Sequence, residues 1–344
     1  MSDTENRTEI AELGEFGLIR HLTQHFKPIN PSTLKGVGDD AAVLDYANKK
    51  IVVTTDLLVE GIHFDLMYVP LKHLGYKSVV VNLSDIYAMN ATPKQITVSM
   101  GLSNRFSVEA VSEIYEGIHA ACKKYGVDLI GGDTTTSGKG LLISITAIGE
   151  AEAGELVYRN GARANDLICV TGDLGAAYMG LQLLEREKKI FLESPSVQPD
   201  LENQKYIVGR QLMPEARRDM LENFKSWALK PTSMIDISDG LSSDLLHLCE
   251  ESGLGCRLDE SRIPVAEDTL KMAMQFSISG TTAALNGGED YELLFTIAQS
   301  DFDKVQNHPE ISVIGFMTEP EKGRKLISTG NAEYELKAQG WKAF

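Results

Sequence analysis

The chain is 344 residues long, 43% hydrophobic and 24% charged, which is long for one domain, comfortable for two, and enough to bury a core in each. No apolar run is long enough to cross a bilayer, and a formal net charge of −16 argues against nonspecific binding to DNA, RNA or an anionic membrane. Cys122, Cys169, Cys249 and Cys256 show neither metal-ligand pairs nor the density of a disulfide framework, so reduced thiols in the core or at the surface are expected.

The first residues are acidic and polar, unlike a secretory signal, so a cytoplasmic protein is expected. Residues 1–11 read as disordered, and Phe16, Ile19 and Leu22 give residues 14–26 the spacing of an amphipathic helix. Strands are predicted at 41–44 and 51–55, then a long helix over 71–89 whose Val79-Val80-Val81 run also suits a strand. A helix over 108–125 leads into a short strand ending at Gly131-Gly132-Asp133, and 141–149 reads as a further strand. The polar stretch 150–164 marks a domain boundary, giving domains of 1–150 and 151–344. Beyond it the spacing predicts a strand at 167–171, a helix at 176–187, a polar loop at 192–203, a strand at 233–237, a helix at 241–251 and a strand at 292–297. Both halves are mixed α and β.

Five short acidic segments punctuate this order: Gly36-Val-Gly-Asp-Asp40, Ser84-Asp85, Gly131-Gly-Asp133, Asp236-Ile-Ser-Asp-Gly240 and Gly287-Gly-Glu-Asp290. Each puts a carboxylate beside a small, turn-forming residue, so that several hard oxygens can face one point. Magnesium suits such a set, and it binds phosphate oxygens as well, which makes phosphoryl transfer the leading reaction. Bound divalent cations would also screen the charge of so acidic a protein from a polyphosphate ligand.

Asp39 and Asp40 fit either an exposed Asx turn or a cation site. Asp56 ends a predicted strand after two hydroxyls, Thr54 and Thr55, and His63 is either structural or a phosphate contact. Asp85 lies in an otherwise buried sequence, so it faces either solvent or a cation. Gly131-Gly132-Asp133 reads as a plain β-turn or as a phosphate cradle. Ser238 or Asp239 would serve as the N-cap of the following helix, which is compatible with metal binding by Asp236 and Asp239. An EF-hand loop, a G-x-G-x-x-G fingerprint and a Walker motif are all missing from the sequence.

In order and together, Gly36-Val-Gly-Asp-Asp-Ala-Ala, Thr54-Thr-Asp-Leu-Leu-Val-Glu-Gly-Ile-His-Phe64, Val81-Asn-Leu-Ser-Asp-Ile-Tyr-Ala-Met89, Ile130-Gly-Gly-Asp-Thr-Thr135, Asp236-Ile-Ser-Asp-Gly240 and Gly287-Gly-Glu-Asp-Tyr-Glu-Leu293 closely resemble the thiamine-monophosphate kinase family. The resemblance spans almost the whole chain. It implies a two-domain α/β (α+β) fold of the aminoimidazole ribonucleotide synthetase type. An N-terminal mixed sheet with helices would pair in a homodimer, and the C-terminal domain would be an α/β sandwich. It implies phosphorylation of thiamine monophosphate to thiamine diphosphate, the final step of thiamine diphosphate biosynthesis, with ATP as co-substrate and several magnesium ions. Nucleic acid and membrane partners are not expected.

Carried over by position, the family pattern implies magnesium ligands at Asp40, Thr54, Thr55, Asp56, Asp85, Asp133, Asp236 and Asp239. ATP contacts are implied at Tyr115, Gly132, Asp133, Arg159 and Ser238, and acceptor contacts at His63, Glu289 and Phe344. The family often has tyrosine where this chain has Phe344, so a hydroxyl contact there is lost; Trp341 and Phe344 remain able to stack on a ring. Transfer is expected to be direct and in line, with no side-chain nucleophile. Selenophosphate-forming relatives need a reactive cysteine or selenocysteine near the N-terminus, whereas the first cysteine here is Cys122, and hydrogenase-maturation relatives end in a cysteine that this chain lacks. An aminoimidazole ribonucleotide synthetase and a non-catalytic metal-nucleotide sensor remain as rival readings.

Overall fold

The computed structural model describes Leu18 and residues 21–35, 43–152, 154–199 and 201–339. Within it the chain divides into two units, one of residues 1–86 with 91–154 and one of residues 87–90 with 155–344. Asp39, Asp40, Trp341, Phe344, the segment 1–11 and part of the helix expected over 14–26 lie outside the described residues.

In the first unit a short pair, β1 (Thr33–Lys35) and β2 (Val43–Leu44), precedes a sheet built from β3 (Lys50–Val59), β4 (Thr92–Leu102), β5 (Asp128–Thr136) and β6 (Leu142–Ala151). The strand order is β3-β6-β4-β5, antiparallel except for β4 against β5. Alternation along β6 buries Ile143, Ile145 and Ala147 on one face, and the residues between them stay partly exposed. Helix α1 (Leu71–Ala88), as far as Ile86, and helix α2 (Val108–Tyr125) belong to the same unit.

The Val79-Val80-Val81 run resolves as helix, fully packed, so burial outweighs the weak helix propensity of valine. Two glycines set how closely the helices pack. A Cβ at Gly75 would lie 1.9 Å from the carbonyl oxygen of Ile114, and one at Gly117 would lie 1.9 Å from that of Lys72, so α1 and α2 touch backbone to backbone. Ser107 caps the start of α2, accepting from the Ala110 amide at 3.3 Å, and Gly126 ends it at φ 72°.

The second unit has helices α3 (Ala176–Glu193), α4 (Lys205–Leu212), α5 (Arg218–Ser226) and α6 (Leu241–Ser252), followed by shorter α7 (Glu267–Gln275), α8 (Gly280–Asn286) and α9 (Phe302–Val305). Its strands are β7 (Leu167–Thr171), β8 (Ser233–Asp236), β9 (Gly255–Asp259), β10 (Leu293–Ile297), β11 (Ile311–Thr318), β12 (Arg324–Ile327) and β13 (Glu333–Glu335). They form one sheet in the order β13-β12-β9-β11-β7-β10-β8, with only β9 and β12 parallel. Neighbouring residues of the central strands serve different cores: Ile168, Val170, Ile235 and Leu294 pack with Leu241, Leu245 and Leu248, whereas Cys169, Met234 and Phe295 pack with Met220 and Phe224. Apolar side chains on both faces make this unit an α/β sandwich. All four cysteines are free and buried.

Three sequence expectations are corrected. The strand expected at 51–55 runs on to Val59, which places Asp56 inside it rather than at its end. Gly131-Gly132-Asp133 is no turn, because β5 continues through it to Thr136, paired with β4 after a register shift near Ile96. The helix expected at 176–187 extends to Glu193. Strand β4, along which Ile96, Val98, Met100 and Leu102 alternate with more exposed residues, and the elements at 205–226, 255–286 and 302–335 were not anticipated.

Candidate active site

In the first unit, Asp56 and Thr54 project from β3 toward α1. The Asp56 amide donates to Asn82 Oδ1 at 3.0 Å, and the Thr54 hydroxyl donates to Asp85 Oδ2 at 2.6 Å. Burial, followed by repulsion from Asp85, pushes the Asp56 carboxyl up to about 6. Thr55 alternates to the other face, where its hydroxyl donates to Ile145 O and accepts from Thr146 Oγ1, both at 3.1 Å. The structure therefore brings together Thr54, Asp56 and Asp85, and turns the Thr55 hydroxyl away from them.

This pair tests the fit of a divalent cation. Two neighbouring carboxylates and a hydroxyl are hard oxygen donors of the kind a divalent cation takes, and burial with the nearby Asp85 charge raises the Asp56 carboxyl. Among the described residues no three His, Cys, Asp or Glu side chains converge closely enough to hold a metal ion. Magnesium accommodates that shortage, because it keeps waters and takes substrate phosphate oxygens as remaining ligands.

Asp133 is exposed on β5 opposite Ser99, and a Cβ at the preceding Gly132 would lie 1.9 Å from Val98 O. Tyr115 is only 8% exposed on α2, with its phenol pushed up to about 12 by burial. With His21, Phe26 and His119 it lines a cavity of about 240 Å³. His63 follows β3 in a turn, where its Nδ1 accepts from the Val59 amide at 3.0 Å. A neutral ring accepting at Nδ1 carries its proton on Nε2 and presents it as a donor.

In the second unit, the ends of β8 and β10 carry two acidic segments that zip together. The Glu289 amide donates to Ser238 O at 2.8 Å, the Tyr291 amide to Ile237 O at 2.9 Å and the Ile237 amide to Glu292 O at 2.8 Å. Glu289 and Tyr291 take left-handed backbone at φ 58° and 54°, a strain of about 1–3 kcal/mol each that the surrounding bonds must hold in place. Gly288 between the segments packs so tightly that a Cβ would lie 2.5 Å from Ser238 O.

The helix cap is a further correction: Gly240 occupies the N-cap of α6, and neither Ser238 nor Asp239 caps it. Asp244, one turn into the helix, accepts instead from the amides of Asp239 at 3.2 Å and Gly240 at 3.1 Å. Burial, then the charges of Asp236 and Asp239, push Asp244 up to about 8. Asp239 is also raised by burial, with His247 and Arg159 pulling it down, which places Arg159 within electrostatic reach of that carboxylate.

Asp244, Arg210, Gln211 and Arg217 were not singled out in the sequence. Gln211 Nε2 donates to Glu289 Oε2 at 2.7 Å. Arg210 lies 3.2 Å from Glu292 Oε1, and Arg217 donates to Glu292 Oε2 at 2.9 Å. Asp290 is buried, accepts from the Gly175 amide at 2.7 Å, and is pushed up to about 7 by burial, with Arg210 pulling the other way. Asp244 left one signal: it falls on the helical face defined by Leu241, Leu245 and Leu248, where a carboxylate is out of place unless bonded. Nothing in the spacing distinguishes Arg210 or Gln211 from solvated residues of a short helix.

Comparison with known proteins places these features. Residues 38–151 match the AIR synthase related protein N-terminal domain, and residues 163–325 match the corresponding C-terminal domain. The thiamine-monophosphate kinase of Bacillus subtilis is 33% identical over 96% of this chain and 100% of its own length. The chain belongs to the thiamine-monophosphate kinase family. Among solved structures, the thiamine-monophosphate kinase of Stenotrophomonas maltophilia superposes with a TM-score of 0.76 at 29% identity, covering 93% of this chain and 95% of that one. AaThiL complexed with AMPPCP and TMP superposes with a TM-score of 0.74 at 31% identity over 100% of both chains. Family membership removes the sensor and the aminoimidazole ribonucleotide synthetase as leading readings. It also gives the acidic segments of each unit a common context.

Proposed function

We propose that this chain is an ATP-dependent kinase that transfers the γ-phosphoryl group of ATP to thiamine monophosphate, giving thiamine diphosphate and ADP. The observation that carries the reading is the Asp56–Asp85 pair with Thr54, a set of hard oxygens suited to a divalent cation, in a chain related over 96% of its length to a thiamine-monophosphate kinase. In the first unit Asp56, Asp85 and Thr54, with Asp133, would hold magnesium; in the second, Asp236 and Asp239 offer further carboxylates. Magnesium, when bound, supplies charge neutralisation between donor and acceptor phosphates.

The chain's own residues do the rest by positioning. Gly132 offers bare backbone to a nucleotide phosphate, and Arg159 with Ser238 offers donors to anionic oxygens. The Nε2–H of His63 suits the acceptor phosphate, and Glu289 suits the cationic or amino-bearing part of the acceptor. An acceptor phosphate oxygen is ionised near neutral pH, so neither a covalent nucleophile nor a strong general base is required.

The reading extends to assembly and place. Ile51, Val53 and Leu57 are 42%, 61% and 51% exposed on the outer face of β3, an apolar stripe that suits pairing with a second copy. No helix among the described residues is long and apolar enough to cross a membrane, and action in the cytoplasm is part of the proposal. Incubation with ATP, thiamine monophosphate and magnesium should yield one ADP per thiamine diphosphate. Unphosphorylated thiamine and omission of magnesium should yield none. Tight ATP binding without product would overturn the kinase reading.

A further inference from the structure

Helix α4 lays three polar side chains against the loops around Asp173 and Glu289. The Tyr206 hydroxyl donates to Asp173 Oδ2; Arg210 Nη2 donates to the main-chain oxygens of Asp173 at 3.1 Å and Asp290 at 3.3 Å. Tyr206 and Arg210 thus hold the Asp173 side chain and the main chain at Asp173 and Asp290, whereas Gln211 reaches Glu289, donating to its Oε2 at 2.7 Å.

Gln211 is itself firmly seated. It is 5% exposed, and a Cβ on Gly180 of α3 would lie 2.2 Å from Ile207 O and 3.0 Å from Gln211 Cβ, so the two helices have no room to slide. Glu289 is fixed at its other end by left-handed backbone and by its amide bond to Ser238 O. With one oxygen held and the backbone set, the carboxylate has few orientations left. Ordering two rotamer-rich side chains costs conformational entropy that water would have spared on a loop glutamate. That cost is offset where a ligand must meet the carboxylate in one orientation.

We infer that Gln211 is a positioning residue for the acceptor substrate, holding the Glu289 carboxylate in the orientation that receives the acceptor's cationic or amino-bearing ring. The inference rests on the reading of Glu289 as an acceptor-binding residue.

Steady-state kinetics of the full chain with Gln211→Met, Glu289→Gln and the double variant test it, with KM for thiamine monophosphate and for ATP measured separately. Gln211→Met keeps the size of the side chain and removes the donor. It should raise the acceptor KM roughly ten- to hundredfold, the usual range for a lost hydrogen bond to a charged group, and leave the ATP KM within about twofold. In the Glu289→Gln background the same change should have no further effect, since the two residues act as one unit. An unchanged acceptor KM in folded Gln211→Met beside a raised one in Glu289→Gln overturns the inference. So does a parallel rise in both KM values, which is what a merely structural role would produce. If Glu289→Gln alone leaves the acceptor KM unchanged, the underlying reading fails first, and the inference with it. Should Gln211→Met fail to fold, Gln211→Leu also removes the donor within a similar volume and carries the same expectation.

Discussion

Replacing Asp56 by asparagine should make the metal-free protein more stable and the enzyme inactive. In the folded chain burial and the Asp85 charge lift the Asp56 carboxyl from 3.8 to about 6. The stability linked to its protonated form is therefore fully present below the unfolded value and lost as pH rises through about 6. A lift of that size corresponds to at most about 3 kcal/mol, and solvent screening of this partly exposed group reduces it to roughly 1–2 kcal/mol. Asparagine keeps the shape and never acquires the charge. In a chelator at about pH 8, Asp56→Asn should melt about 3–6 °C above the wild type, and the gain should shrink toward zero at about pH 4.5. Magnesium should reverse the order, stabilising the wild type and leaving the variant unmoved, while turnover of the variant falls at least about a hundredfold. The assay is thermal denaturation at both pH values, with chelator and with magnesium. A variant that is less stable than wild type in chelator at the higher pH, or equally responsive to magnesium, would refute the reasoning.

Gly117→Ala should cost about 3 kcal/mol or more, because its methyl group would lie 1.9 Å from a backbone oxygen that cannot retreat; chemical denaturation gives the value, and a loss under about 1 kcal/mol would show that the helices can separate. Arg210→Met should destabilise by about 3–5 kcal/mol, since it leaves Asp290 and Glu292 buried without that partner; a wild-type urea midpoint would mean that Arg217 alone balances both acids. Val53→Asp puts a charge in the exposed apolar stripe of β3 and should convert a homodimer to monomer in sedimentation velocity, whereas an unaltered dimer would place the interface elsewhere.

How much of this was legible in the sequence depended on whether a residue announces its own environment. Strand β7, helix α2 and the strand ending at Asp236 follow from apolar periodicity, and the structure has them where the spacing puts them, whereas the cap expected from Ser238 or Asp239 falls to Gly240. Strand β4 was legible but not read: Ile96, Val98, Met100 and Leu102 are buried and alternate with the more exposed Thr97, Ser99 and Gly101, the period-2 pattern of a strand. The glycines at 131 and 132 were misread for a different reason. Glycine marks a turn in sequence, but here the missing side chain at Gly132 serves close approach to the Val98 carbonyl within a continuous strand.

The candidate site divides along the same line. Asp56 and Asp85 stand out as acids among apolar residues, and within each unit the fold brings acids from separate segments together. Arg210 and Gln211, which hold the site, are ordinary polar letters on a short helix that only tertiary packing selects, whereas Asp244 stands out only as a carboxylate on an apolar helix face. An acid that binds a ligand must look wrong in its local context, because its partner is not part of the chain. A residue that orients such an acid finds its partner within the chain, and so looks ordinary until the fold is known. Gln211 beside Glu289 is the second kind. Its role becomes measurable only through the acid it holds.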